Sequence, residues 1–409
     1  MIHKPKLLIL LGAGATIPWG GKTTADLSDI VLKTDGYYTK LKSSGKPWGY
    51  HFRQLLADYY QVDKTAISFE DVLEVIEELW SYFYHRGLNN PKWIRPSMPS
   101  LFEIARHIDE NIGFDRNQLN ARKGDSEDVL KCVYFGNLYY DILGNIIFEI
   151  KKYEDNFIKY EFRNLREKFA DFVQKLNENF SLRCYSLNYD NMLALIPGLP
   201  TFYDGTINDS GQFSYEKIIQ DDAINCFYHL HGSIHYNTSP NPGIGEYTMI
   251  NSGQVDFNPA IPRPRHLLGY PILPSIIITG KNKLAKTLMK PFNAFNYSFR
   301  RDCVDSCAII TIGYSYRDAH INNCIYSAIK GNSSKKVIHV TKVEPKNLNQ
   351  QGNELSRALA TISDIILEQT IDDGWYVDSK YPIKTYIHGL EEFIKPNGYK
   401  YLIETIRKQ

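Results

Sequence analysis

The sequence predicts an α/β fold in which a doubly wound, mostly parallel sheet carries a large helical insertion. Short apolar runs recur along the chain, and each ends in a glycine or a polar turn. Stretches of helical periodicity separate these runs, which is the pattern of parallel strands joined by crossover helices. The first run is almost continuously apolar, as a strand covered on both faces must be.

That first strand is expected over Lys6–Leu11, running directly into Gly12-Ala13-Gly14-Ala15 and then into a helix over Asp26–Leu32. From about residue 45 to residue 180 the chain reads as mostly helical. Ser68-Phe69-Glu70-Asp71 has the form of a capping box, and Phe69, Val72, Leu73, Ile76, Leu79, Trp80 and Phe83 follow at helical spacing. Residues 91–99 form a proline-rich break, and a second long helix is expected through Phe157, Phe162, Leu165, Phe169, Phe172, Val173 and Leu176. Further strands are expected at Leu182–Leu187, Cys226–Leu230, Ser275–Thr279, Ala308–Ile312 and Val337–Thr341. The chain thus divides into a Rossmann-like core (1–45 and 180–345), a helical insertion (46–179) and a C-terminal extension (346–409) that packs on the core or serves assembly.

The 409 residues include 47 Lys and Arg against 46 Asp and Glu, a formal charge of +1. No basic block stands out, so nothing supports a grip on nucleic-acid phosphates. The apolar run Leu7–Leu11 is too short for a signal peptide or a membrane span. The six cysteines form no CxxC pair; Cys303 and Cys307 lack further ligands nearby, so no metal is expected. Free thiols fit a reducing, cytosolic setting.

Four turns carry the candidate chemistry. Gly12 and Gly14 would let backbone approach a phosphate at a helix N-terminus, although G-A-G-A is short of the full G-x-G-x-x-G pattern and also reads as a tight strand-to-helix turn. Asn188 and Asp190, after the second strand, suit a ribose hydroxyl or a water; an Asx turn or helix N-cap is the plainer reading. His229 and His231 should point to one face of their strand, with Gly232 leaving room for a ligand beside His231. A histidine there suits a general base, and a hydrogen-bonded structural histidine is the alternative. Gly313 and Ser315 again suit a phosphate or ribose, and Asp318 reads as a helix N-cap.

The order of these blocks is more specific than any one of them. GAGAT near residue 12, FED near 70, NYD near 188, LHGSI near 230 and GYSYRD near 313 resemble the sirtuin-like NADase family of bacterial anti-phage defence. That family's blocks read GAGAS, TNYD, LHG and GYSFxD, and the match covers Leu8–Leu27, Phe69–Leu73, Leu187–Asp190, Leu230–Ile234 and Ile312–Asn322. The resemblance implies that Gly12, Ala13, Gly14, Ala15 and Thr16 cradle the pyrophosphate of NAD, with Gly313 and Ser315 as a second nucleotide-contacting turn. It implies Asn188 and Asp190 as the ribose- and water-positioning pair and His231 as the catalytic histidine. Lys22 stands where the family usually has proline, and the four-cysteine zinc module of the protein-deacylating branch is missing.

The implied activity is hydrolysis of NAD, as substrate, to nicotinamide and ADP-ribose by a bacterial cytoplasmic enzyme. Such an activity needs a gate, and the resemblance points to abortive infection, to homo-oligomerisation and to a HerA-type hexameric ATPase as partner. A non-catalytic NAD- or ADP-ribose-binding subunit is the competing class, with a protein deacylase or an ADP-ribosyltransferase further behind.

Overall fold

The computed structural model describes residues 4–35, 42–43, 46–87, 103, 126–207, 210–220, 225–238, 249–255, 265–267, 270–273, 275–279, 283–332, 334–344, 367–369, 374–378 and 382–407. The proline-rich break at 91–99 lies outside the described residues. An eight-stranded sheet forms the centre. Its strands are β1 (Lys6–Leu11), β2 (Ser181–Ser186), β3 (Cys226–His229), β4 (Ala308–Ile312), β5 (Lys336–Val340), β6 (Leu367–Gln369), β7 (Trp375–Asp378) and β8 (Ile383–Tyr386).

Across the sheet the order is β3-β2-β1-β4-β5-β8-β7-β6. The first six strands pair in parallel, and β7 and β6 close that edge antiparallel. The chain moves one way from β1 to β2 and β3, then returns to the other side of β1 for β4 and β5. Right-handed crossovers that run in opposite directions from one strand put their helices on opposite faces, so the sheet is doubly wound. Burial on both faces is why β1, β4 and β5 read as largely apolar runs rather than alternating ones, whereas β2 is buried along its length although it carries Arg183 and two serines.

The fourth expected strand does not join this sheet. Ser275–Thr279 is buried along its whole length, but among the described residues its only strand pairing is an isolated antiparallel bridge, Gly232 to Ile277. A short apolar run reports burial, and both sides of β1 are already taken by β2 and β4. Residues 367–386 instead add β6, β7 and β8.

The longer helices among the described residues are α1 (Thr24–Val31), α2 (Trp48–Tyr60), α3 (Phe69–Gly87), α4 (Glu127–Phe157), α5 (Arg163–Asn179), α6 (Phe292–Asp305), α7 (Ala319–Gly331) and α8 (Pro396–Arg407). At the start of α3 the Ser68 amide donates to Asp71 Oδ2 (2.7 Å) and the Asp71 amide donates to Ser68 Oγ (3.3 Å). This is a capping box with aspartate in the glutamate place. The apolar stripe of α3 packs on α4, with Phe83 stacked on Phe135 at 5.7 Å.

The single helix expected through Phe157 and Leu176 is two, α4 and α5, with a turn between them. Arg166 caps the break: its guanidinium donates to the carbonyls of Phe157 and Ile158 at the end of α4 and to that of Lys159 in the turn.

Alternate residues of β2, Arg183 and Tyr185, meet α6. Arg183 Nε and Tyr185 OH each donate to Asp302 Oδ2 at 2.6 Å, and both charges are fully buried. Breaking such a pair strands an uncompensated buried charge. Asp302→Ala should therefore cost about 3–5 kcal/mol of stability, read as a lowered midpoint in chemical denaturation.

Candidate active site

The loops leaving β1 and β4 meet at the point where the strand order reverses, which is where open α/β sheets bind ligands. The Gly12 amide donates to Ile312 O (2.9 Å), and the Gly14 amide donates to Gly313 O (3.0 Å). A Cβ on Gly12 would lie 2.6 Å from Gly313 O, and one on Gly14 would lie 2.7 Å from Gly313 Cα. Gly313 has φ +61°, and a Cβ there would lie 2.3 Å from Ala15 N. The glycines that the sequence suggested for phosphate approach are thus needed so that two backbone loops can touch.

A cleft of about 1230 Å³ opens above this contact. Gly12, Ala13, Gly14, Thr16, Asn188, Asp190, His231, Gly313 and Ser315 all line it. Ala15 is fully buried and is not among the lining residues; its amide donates to Gly12 O at 2.9 Å. The Thr16 amide is also used, by Ala13 O at 3.3 Å. Hydroxyl, cationic and helix N-terminal groups at the cleft wall include Thr23, Thr24 and Ala25 of the start of α1, together with Lys22, Ser315 and Arg317, with Asp26 placing a negative charge in the same first turn.

Asn188 does not cap a helix. Its Nδ2 donates across to Gly12 O at 3.1 Å, joining the turn after β2 to the turn after β1. Asp190 does form an Asx turn, accepting from the Met192 amide at 3.2 Å, and it also accepts from Tyr153 OH at 3.3 Å. Burial and then the neighbouring Glu154 push the Asp190 carboxyl from 3.8 up to about 7. Glu154 is itself held by His235 Nε2 (3.0 Å) and the Asn191 amide (2.6 Å).

His229 and His231 face different spaces, contrary to the expectation for one strand face. β3 ends at His229, and the backbone turns at Gly232, φ +83°. His229 lines a separate cavity of about 350 Å³, its Nδ1 3.1 Å from Asn188 O, and burial lowers it to about 4. Gly232 makes room for backbone rather than ligand, since its Cβ would lie 2.3 Å from Ile276 O. His231 is buried in the main cleft, and its carbonyl accepts from the Ile278 amide at 2.7 Å. Its Nε2 has no hydrogen-bond partner among the described residues. Burial, then Lys283 and His320, hold the imidazole well below 6.5, against an upward pull from Asp318.

Sequence reasoning did not single out Lys283 or Tyr153, and it took Asp318 for a helix cap. Asp318 sits at the N-cap of α7 but makes no side-chain cap bond. Instead it meets Lys283 Nζ at 2.5 Å. Lys283 carries no motif signal; Glu70, at 3.8 Å from Lys283, was visible only inside the FED block. Among the described residues no three His, Cys, Asp or Glu side chains come together as a metal ligand set, and no helix is long and apolar enough to cross a membrane.

No family model matches the chain, and no curated protein matches it. Among solved structures, a triple mutant described as Sir2 homologues, in complex with 2′-O-acetyl ADP-ribose, matches at TM-score 0.34 and 10% identity over 88% of this chain and 96% of that one. Two ADP-ribose complexes of single mutants of a Sir2 homologue match at TM-score 0.32 and 11% identity, over 88% of this chain and 91% of theirs. Likeness at this level assigns neither family nor ligand.

The floor of the cleft is testable through Gly313. Gly313→Ala imposes a left-handed backbone on an alanine and drives its Cβ into the Gly14–Ala15 peptide. The variant should lose more than about 2 kcal/mol of stability, measured by denaturant unfolding.

Proposed function

We propose that this protein is an NAD glycohydrolase, which cleaves the nicotinamide–ribose bond to release nicotinamide and ADP-ribose. The observation that carries the reading is a buried, uncharged imidazole, His231, in the same switch-point cleft as Asn188 and Asp190. The ordered sequence blocks supply the substrate. The cleft volume of about 1230 Å³ leaves ample room for an extended dinucleotide.

Nicotinamide leaves with the electron pair of the C1′–N bond as a neutral molecule, so no acid is needed for departure. Positive charge develops on the ribose, as in other glycosyl cleavages. Ionised Asp190 stabilises that charge, and Asn188, fixed by Gly12 O, orients a ribose hydroxyl or the attacking water. The water oxygen bonds to C1′ and its proton passes to His231, directly or through a ribose hydroxyl.

The reading extends to an abortive-infection effector in bacterial anti-phage defence. Its gate would be self-assembly or a HerA-type hexameric ATPase, and the order of the sequence blocks is the support for both.

Purified protein, alone and with a candidate ATPase, should release nicotinamide and ADP-ribose from NAD. His231→Ala and Asn188→Ala should each lower turnover by about 100-fold or more in a protein that still unfolds cooperatively. A folded His231→Ala protein that turns over normally removes the histidine from the mechanism.

The pH profile separates the two titrating groups. His231 is held below 6.5, so from pH 6.5 upward it is already unprotonated, whereas Asp190 gains its charge through about 7. kcat/KM should therefore rise as pH climbs through about 7. Asp190→Asn should flatten that rise; a rise that persists in this variant assigns it to another group.

A further inference from the structure

Four titratable side chains besides His231, namely Lys283, Asp318, Glu70 and His320, cluster around it from three segments far apart in sequence. Lys283 Nζ lies 2.5 Å from Asp318 Oδ1 and 3.8 Å from Glu70 Oε2. The same Asp318 oxygen lies 4.0 Å from His231 Nε2. Glu70 opens α3 and accepts from Tyr189 OH at 3.1 Å, while His320, in the first turn of α7, sits with its ring centroid 5.6 Å from that of His231. Two irregularities point the same way. Asp318 occupies a helix N-cap without capping it, and the buried Nε2 of His231 has no hydrogen-bond partner among the described residues. A carboxylate withheld from its helix and a ring nitrogen without an acceptor face each other across that 4.0 Å gap.

We propose that Asp318 is the positioning residue for His231 and that Lys283 is the counter-charge that tunes the pair. This rests on the reading of His231 as the base in NAD hydrolysis. A carboxylate facing Nε2 fixes the ring proton on that nitrogen and leaves the Nδ1 lone pair for the substrate side. When Nδ1 takes the proton, Asp318 stabilises the imidazolium without itself becoming protonated. Catalytic hydrogen bonds are often long in the free protein and tighten in the complex. Lys283 acts in the opposite sense, keeping the resting imidazole neutral. Glu70 shares Lys283 with Asp318 and so links the helical insertion to the histidine.

The signs follow from the charges. Removing Lys283 leaves the Asp318 carboxylate to His231 and raises the imidazole pKa. Removing the Asp318 charge leaves Lys283 unopposed and lowers it. Loss of packing alone would not move the two variants in opposite directions.

The experiment is an NMR titration of the full chain with nitrogen-15-labelled histidine, free of ligand, with the His231 signal assigned from His231→Ala. NAD kinetics are run on the same proteins. Native His231 should carry its proton on Nε2. Its titration midpoint should move up in Lys283→Met and down in Asp318→Asn. With NAD, Asp318→Asn should lose about 10-fold or more in kcat with KM within about twofold, and Asp318→Glu should recover part of the loss. A proton on Nδ1 in the native ring, or both midpoints moving the same way, overturns the proposal. Full turnover by Asp318→Asn overturns it too while leaving the hydrolase reading intact. Absent turnover by the native protein removes the hydrolase reading, and the titration still decides the pairing.

Discussion

The contact between the glycine loops after β1 and β4 is the constraint on which the rest of the site depends. Two parallel neighbours bring their exits together, and there the backbones of Gly12, Gly14 and Gly313 lie closer than any Cβ would allow. The floor of the cleft is therefore bare backbone. Asn188 is fastened to that floor through Gly12 O, and the turn after β2 thereby shares its frame.

The upper wall belongs to the helical insertion and is fastened by charge. Lys286 is buried against Glu77 of α3 at 3.0 Å and also donates to Thr279 O at 3.1 Å. One turn earlier Lys283 approaches Glu70 of the same helix. The buried segment Ser275–Thr279 runs between these anchors and the loop bearing His231, whose carbonyl it holds through the Ile278 amide. Movement of α3 relative to the sheet would thus be felt at His231 through a short, polar connection.

Burial gives the site its protonation states. In water the Asp190 carboxyl would be ionised and an imidazole like that of His231 would titrate near neutrality. Inside this cleft the carboxyl rises to about 7 and the imidazole falls, because both charged forms lose their hydration. A neutral imidazole and a carboxylate that ionises near physiological pH, lining one cleft, are the two states that the proposed NAD hydrolysis uses.

The sequence by itself determined the parallel sheet. β1, β4 and β5 are largely apolar because both faces are covered, and that pattern is local. It determined the helical insertion through the stripe of α3, and it brought forward Asn188, Asp190 and His231 because they follow strand ends. Only the tertiary structure decided that Ser275–Thr279 is a buried strap rather than a strand, since an apolar run reveals burial and not its partner. Only the fold separated His229 from His231, because the chain turns at Gly232 before strand alternation can extend. Asp318 looks like a cap in sequence because capping is a short-range pattern. The fold instead pairs it with Lys283 and sets it 4.0 Å from His231, residues 35 and 87 positions away in sequence.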